Sequence, residues 1–357
     1  MGIGFAATAA PMDYFGVYWN PACLAIPGAG PTWTIATGGS FFDTSNSGSP
    51  ILRYNTDNAI QSGIDPVNRY QQYLGTFGAK YTTAAGGVIF DQELNSSSSQ
   101  GALQFFHDRD NNSLSTTGTY SLGMTQTTQQ IYNVVVSYAS QLPIGAVPFF
   151  SAGGSLKYHD GVQYQQASLV GTYQQAAPAT GYTYTKTTST SGLGLSIDAG
   201  FLAKFTEALQ VGMMFQNLQS NFNWQAQQQS YTLDGSGKET ASGPATNVTI
   251  PANFPYATKL GLMGSPPGTN VALEGEVAWT QGVVNWRAGL ERLYPDNHIV
   301  VRLGTFNDRI SNSQLWTIGG GYMVPNFNLD LSFLTRSLPA IQDSITFGIA
   351  FDAIVRF

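Results

Sequence analysis

The side chains most able to do covalent or metal chemistry are few in this 357-residue chain: one cysteine, Cys23, and three histidines, His107, His159 and His298. Nucleophilic catalysis needs a serine, threonine or cysteine held beside a base, and a metal site needs several ligands at converging spacings. No histidine here has a second histidine at ligand spacing or stands in a nucleophile motif. His107 and His159 each precede an aspartate in predicted loops and His298 starts a strand beside a turn; all three read as solvated loop side chains. Cys23 sits among alanine and leucine, the setting of a small buried residue rather than a reactive thiolate, and one cysteine makes no internal disulfide. Asp108, Asp110 and Asn112 have the alternating oxygens of a calcium loop but lack its glycine and closing glutamate. Asn247-Val248-Thr249 fits a glycosylation acceptor, a pattern that arises often by chance. The expectation is no enzyme, no cofactor and no metal.

What remains is charge pairing. Glu274 and Glu276 share one face of an extended segment, Arg287 and Glu291 one face of the next, and Arg302 follows on a third. The link between the first two segments is short, which sets Glu276 nearly opposite Arg287 and brings Arg302 within reach of Glu291. Opposite charges across strands contribute roughly 0.2–1 kcal/mol per pair, whereas an unpaired buried charge costs several kcal/mol. These five residues read either as a ladder that holds strands together or as a polar gate beside a ligand path. Lys80, Asp91, Lys157, Asp198, Lys259, Asp330, Asp352 and Arg356 likewise fall on the face opposite the apolar one of their own segments.

The segments that carry them alternate with period two. From Ser344 to Phe357 the odd positions, including Ile345, Phe347, Ile349, Phe351 and Val355, are apolar and the even ones are mostly small or polar. That is a strand with a different solvent on each face. Extended segments are predicted at 32–43, 71–83, 86–97, 126–141, 144–158, 192–206, 208–222, 253–264, 269–280, 282–293, 297–307, 313–323, 326–336 and 344–357. Over the first half, long links rich in Ser, Thr, Gln and Asn (95–125, 160–190 and 223–252 among them) alternate with tight turns. Tyr132, Trp279, Trp286, Tyr294, Trp316 and Tyr322 fall near segment ends, as interfacial aromatics do.

Composition agrees. Lys+Arg number 15 against 21 Asp+Glu, for a net charge of −6, and only 10% of residues are charged. That sign and scatter exclude a nucleic-acid partner, and 42% hydrophobic content is too much for a disordered chain. No apolar run reaches the ~18 residues of a spanning helix. A soluble sandwich would carry Lys and Glu on its outer face; here that face is aliphatic and aromatic. The fold class expected is all-β, a 14-stranded antiparallel transmembrane β-barrel over 32–357, in the bacterial outer membrane with both termini periplasmic.

Residues 1–31 do not alternate and are full of Gly, Ala and Pro. Such backbone must sit in water or inside the barrel. The run Tyr18-Trp19-Asn20-Pro21-Ala22-Cys23-Leu24-Ala25 resembles the Asn-Pro-Ala signature of the long-chain fatty-acid transporter (FadL) superfamily, most closely its PorV-like branch, where a glycine usually stands in place of Cys23. Val211 to Leu218, Phe254-Pro255, Arg287 to Glu291 and Val301 to Gly304 are similar to later strands of that branch, and the closing Phe357 is similar to the terminal aromatic of such barrels. No secretory signal is visible at Met1, and the numbering is expected to begin inside the mature protein.

The resemblance implies a lumenal hatch over 1–31, with Asn20, Pro21 and Ala22 as its motif, and an apolar path for a hydrophobic ligand. Candidates for the lining are Phe5, Tyr14, Phe15 and Tyr18 of the hatch, with Val135 and Phe149 of the wall; Pro148, read as lying within the fifth strand, is a candidate kink or lateral opening. Two functions follow from it: hatch-gated diffusion of a fatty-acid-like small molecule, or docking of a surface or secreted protein partner without transport. Membrane lipid and lipopolysaccharide are the expected surroundings in both. An open porin is disfavoured because the plug would block it.

Overall fold

The computed structural model describes residues 8–9, 16–26, 33–45, 69–113, 115, 117–145, 147–174, 183–233, 239–252, 254–294, 298–308, 313–336 and 345–357. The first half of the sheet comprises β1 (Trp33–Ser45), β2 (Arg69–Tyr81), β3 (Ala84–Ser98), β4 (Thr119–Gln141), β5 (Phe149–Gln174), β6 (Thr183–Ser189), β7 (Gly192–Thr206) and β8 (Leu209–Leu233). The second half comprises β9 (Glu239–Ala241), β10 (Thr246–Pro251), β11 (Ala257–Gly264), β12 (Val271–Thr280), β13 (Val283–Tyr294), β14 (Ile299–Asp308), β15 (Ser313–Val324), β16 (Phe327–Arg336) and β17 (Ile345–Arg356). All pairings are antiparallel, and β17 pairs with β1 from Thr34↔Arg356 to Ser45↔Ile345, which closes the sheet. Fourteen strands make the barrel; β6, β9 and β10 pair only with the upper parts of β5 and β8.

Alternation explains the closure. Phe77 and Val136 on the outward face are each 62% exposed, whereas Ile354 and Val135 on the inward face are buried. An outer face of Val, Leu, Phe and Tyr suits hydrocarbon, and the aromatics Tyr132, Trp279, Trp286, Tyr294, Trp316 and Tyr322 are all exposed on it. Tyr132 lies within β4 rather than at its end, because that strand runs on to Thr119.

Three strands are much longer than the ~10 residues a membrane requires: β4 has 23, β5 26 and β8 25. Much of 95–125, 160–190 and 223–252, expected as loops, is therefore strand, with a helix α1 at Gln100–Asp110. Its Phe105 packs on Tyr120 and Tyr173 at 5.5 and 4.6 Å. Pro148 is not in the fifth strand but in the turn before it, where a missing N–H leaves no gap in the ladder.

The wall has one pronounced irregularity. Pairing of β7 with β8 jumps from Ile197↔Gln219 to Ala199↔Phe215, so Asp198 faces the three-residue bulge Gln216-Asn217-Leu218. Asn217 takes the left-handed φ of 53°, which Asn tolerates better than most residues. Its N–H donates to Asp198 Oδ1 at 2.8 Å and its Nδ2 to the Pro255 carbonyl at 3.1 Å. Beside it, β8 passes from its partner β11 (Gln216↔Ala257) to β10 (Asn223↔Pro251) with a stretch between them outside both ladders.

Candidate lumenal site

The segment before β1 packs against the inner wall. A short helical turn at Gly16–Trp19 leads through Asn20 into a 3₁₀ turn, Pro21–Ala25. Asn20, wholly buried, explains its own motif: its Oδ1 accepts from Ala22 N at 3.0 Å, capping the turn. Pro21 at the first helical position gives up only an N–H that the turn leaves unused. Asn20 Nδ2 donates to the Thr8 carbonyl at 2.8 Å and to the Phe201 carbonyl of β7 at 3.0 Å. Ser151 Oγ of β5 donates to the Ala22 carbonyl at 2.9 Å.

The close fit depends on wall glycines. A Cβ at Gly153 would lie 2.6 Å from Pro21 C, one at Gly200 2.0 Å from Asn20 Oδ1, one at Gly212 2.0 Å from the Thr8 oxygen and one at Gly261 2.8 Å from Ala9 N. Apolar contact completes the seat. Val17, Ala22, Cys23, Leu24 and Ala25 form one cluster with Ala85, Ile89, Val135, Phe149, Leu202 and Ile354, and Tyr18 packs at its edge. Of the expected lining residues, Val135, Phe149 and Tyr18 thus meet; Phe5, Tyr14 and Phe15 lie outside the described residues.

Burial pushes the Cys23 thiol up to about 12, the nearby Lys80 opposing it only in part. In the folded protein Cys23 will therefore resist a maleimide over hours at neutral pH and react within minutes after denaturation. Rapid labelling of the native barrel would contradict this packing.

Four of the five ladder residues meet in two pairs. Glu276 pairs in register with Arg287, Nη1 to Oε1 at 3.0 Å, and Glu291 with Arg302, Nε to Oε2 at 2.6 Å. Arg302 also binds Asp330, and Lys157 binds Asp198. Glu276 also reaches the segment before β1: its Oε2 accepts from Thr8 N at 3.1 Å and from the Thr8 hydroxyl. Lys259 Nζ and Arg287 Cζ lie 5.3 and 5.9 Å from the centroid of the Trp19 ring, a cation–π pair of contacts. Glu274 has a buried Oε2 with no hydrogen-bond partner.

Towards the long-loop end lies a second cluster that residue types alone did not single out. Ile131, Tyr164, Phe222 and Trp224 are buried together, with Ile250, Ala252 and Phe254 against them. His159 is not a solvated loop residue. It sits in β5, 2% exposed, with Phe254 4.2 Å from its ring. Its Nδ1 bonds Asn133 Oδ1 and its Nε2 lies 2.8 Å from Ser196 Oγ. Hydrolases use this connectivity where the serine faces an open pocket; here Ser196 is 1% exposed, and the network ties β4, β5 and β7 together. The cluster was legible: Phe222, Trp224 and Ala226 alternate with Asn223, Gln225 and Gln227.

The other singled-out residues have ordinary roles. Asp108 accepts from Tyr120 OH at 2.7 Å and Gln104 Nε2 at 2.6 Å, and among the described residues no group of His, Cys, Asp and Glu is arranged to hold a metal. His298 stacks on Tyr322, 6.2 Å between ring centroids. The side chains of His107 and Asp110 lie outside the described residues.

A closed, 14-stranded antiparallel barrel with an apolar outer belt has the architecture of a bacterial outer-membrane barrel. No protein-family model and no curated protein matches the sequence. Solved structures do match it along its whole length. The Pseudomonas putida toluene transporter TodX superposes with a TM-score of 0.60 at 11% identity, covering 100% of this chain and 96% of that one. CymD, a monoaromatic hydrocarbon channel, gives 0.62 at 11%, with 100% and 96% covered. A Pseudomonas aeruginosa FadL homologue gives 0.58 at 12%, with 99% and 96% covered. At such identities what is shared is the fold, the one that the Asn-Pro-Ala resemblance implied.

Proposed function

We propose that this protein is an outer-membrane channel that passes hydrophobic small molecules by diffusion. The observation that carries this reading is the full-length match of fold to channels for toluene and other monoaromatic hydrocarbons, which favours transport over a protein-docking role. The lumen supports it with the aromatic cluster of Phe222, Trp224 and Phe254 and, further in, the apolar contact of the hatch with Val135 and Phe149. Residues 1–31 are the hatch and 32–357 the barrel, and movement of the hatch gates the way. The stretch of β8 between its two partners, next to Phe254, offers a sideways exit into lipid. Trp33 and Phe357 meet at the short-turn end, Phe357 N to the Trp33 carbonyl at 2.9 Å, and this end faces the periplasm. Lipid and lipopolysaccharide surround the outer belt.

The test is uptake of radiolabelled toluene, at low concentration, by cells with an intact lipopolysaccharide leaflet. Expression of the full chain in a host without such channels should raise the initial rate several-fold over vector alone. Equal rates, with the barrel shown folded in the membrane, would remove the transport reading.

A further inference from the structure

The outward face of the long strands changes character above the aromatic girdle. Phe90, Tyr132, Asp160 and Leu193 are successive partners across β3, β4, β5 and β7, one outward row at the level of the girdle. Three rows stand above it. The first holds Gln130 opposite Gln163. In the second, Leu94, Thr128, Gln165, Thr188, Gln227 and Asn247 are successive partners across six strands. In the third, Gln126, Ala167, Lys186 and Gln229 are. The row after that, Met124, Leu169, Tyr184 and Tyr231, packs with Ala102 and Phe105 of α1, so the helix covers the face from there on. From Tyr132 to Met124 the open band measures roughly 26 Å along β4 at the rise of an extended chain.

Its chemistry is one-sided. The chain has 21 acids against 15 bases, yet the residues of these three rows include no carboxylate and one cation. That cation, Lys186, has its Nζ 5.0 and 5.2 Å from the ring centroids of Tyr184 and Tyr231. The nearest acid on the same face, Asp160, stands below in the girdle row. On the lumenal side of the same strands Gln166 donates to Thr127 and Gln228 to Thr187, each at 3.4 Å, so those amides are spent on the protein. Their sequence neighbours Gln165 and Gln227, with Thr188 and Asn247, are exposed and turned to the surroundings.

The band is continuous with the apolar belt, so its surroundings are the layer next to the hydrocarbon, on the side away from the short-turn end. In an outer membrane that layer is sugar and phosphate. Amides both donate and accept, which suits a polyhydroxyl surface, and a cation suits a phosphate. Carboxylates, which a phosphate would repel, are the group the rows lack. We infer that the three rows form a binding face for the core saccharide of lipopolysaccharide, with sugar hydroxyls on Gln165 and Gln227 and a sugar phosphate at Lys186. This rests on the outer-membrane placement proposed above and not on transport.

Native mass spectrometry of the full chain in detergent micelles tests it with two probes: lipopolysaccharide carrying a complete core, and lipid A bearing only its two innermost sugars. The complete core should bind about tenfold more tightly, the gain of a few net hydrogen bonds. Gln165→Ala with Gln227→Ala should remove most of that preference, whereas Gln166→Ala with Gln228→Ala, one residue along on the lumenal face, should keep it. If the outward double variant does not fold, Gln227→Glu serves instead: a carboxylate among phosphates should weaken the complete core several-fold and leave the truncated form unchanged. Equal binding of the two probes, equal losses from the outward and lumenal pairs, or no effect of Gln227→Glu would overturn the saccharide face and leave the placement intact. Recovery of the expressed chain outside the outer-membrane fraction would bring down the placement, and the saccharide face with it.

Discussion

Replacing Gly200 by valine will unseat the hatch while the barrel still closes. The glycine's ideal Cβ position is 2.0 Å from Asn20 Oδ1 and 3.0 Å from Pro21 Cδ, so a branched side chain and the Asn20 cap exclude one another. Asn20 would give up its bonds to Ala22 N, the Thr8 carbonyl and the Phe201 carbonyl, each worth about 0.5–1.5 kcal/mol. A loss of about 2–4 kcal/mol on that basis turns a closed plug into one that leaves its seat often. The wall has no such dependence, because the ladders of β7 with β5 and β8 do not involve the side chain at position 200. Two readouts should move together: Cys23 becomes reactive to maleimide in the native barrel, and single-channel conductance in planar bilayers rises. Gly145→Val is the control, since nothing lies within 4 Å of a Cβ there. A Gly200→Val protein with an unreactive Cys23 and a closed channel would show that the hatch is not held by this contact.

The parts of the molecule visible in the sequence are those where two solvents meet at one strand. Along β17 one face touches lipid and the other the lumen, so Phe347 and Phe351 alternate with Gly348 and Ala350. The start of β4, inside the expected loop 95–125, carries a short alternation of its own, with Tyr120, Leu122 and Met124 buried between Ser121, Gly123 and Thr125, but the Ser- and Thr-rich sequence around it hides that run. His159 was misread because Asp160 follows it, yet Ser155 and Lys157 before it have its parity and Leu156 and Tyr158 the opposite one.

The charge ladder was legible where a tight turn fixed the register. Gln281 and Gly282 both have positive φ, 50° and 78°, the geometry of a two-residue hairpin turn, and this sets Thr280↔Val283 and hence Glu276↔Arg287. The link from Arg302 to Asp330 was not legible, because it skips a strand. Asp330 pairs with Gly321, where a Cβ would lie 2.0 Å from Asp330 Oδ1, so the carboxylate crosses the bare glycine to reach Arg302. The seat of the hatch shows the same limit. Asn20-Pro21-Ala22 marks a capped turn, but which wall glycines receive it depends on contacts far apart in sequence.

Glu276→Leu should be the most damaging change among the ladder residues, and it separates the two readings of that ladder. The Glu276 side chain is fully buried and is shared: Oε1 holds Arg287 of the wall and Oε2 holds Thr8 of the hatch. Removing one partner of a buried pair costs about 3–5 kcal/mol, because the other charge stays behind without its counterion. Arg287 would keep its place over the Trp19 ring beside Lys259, with the carboxylate it meets at 3.0 Å removed. The equivalent change at Glu291 should cost less, since Arg302 retains Asp330 and the Glu291 side chain is 21% exposed. Urea unfolding in detergent micelles should thus show a much larger fall in midpoint for Glu276→Leu than for Glu291→Leu. Maleimide labelling of Cys23 should rise only in the former, because among the described residues Glu276, and not Glu291, bonds to the hatch. If both variants lose the same stability and neither exposes Cys23, the charges merely tie strand to strand, and the apolar cluster with its glycines holds the plug alone.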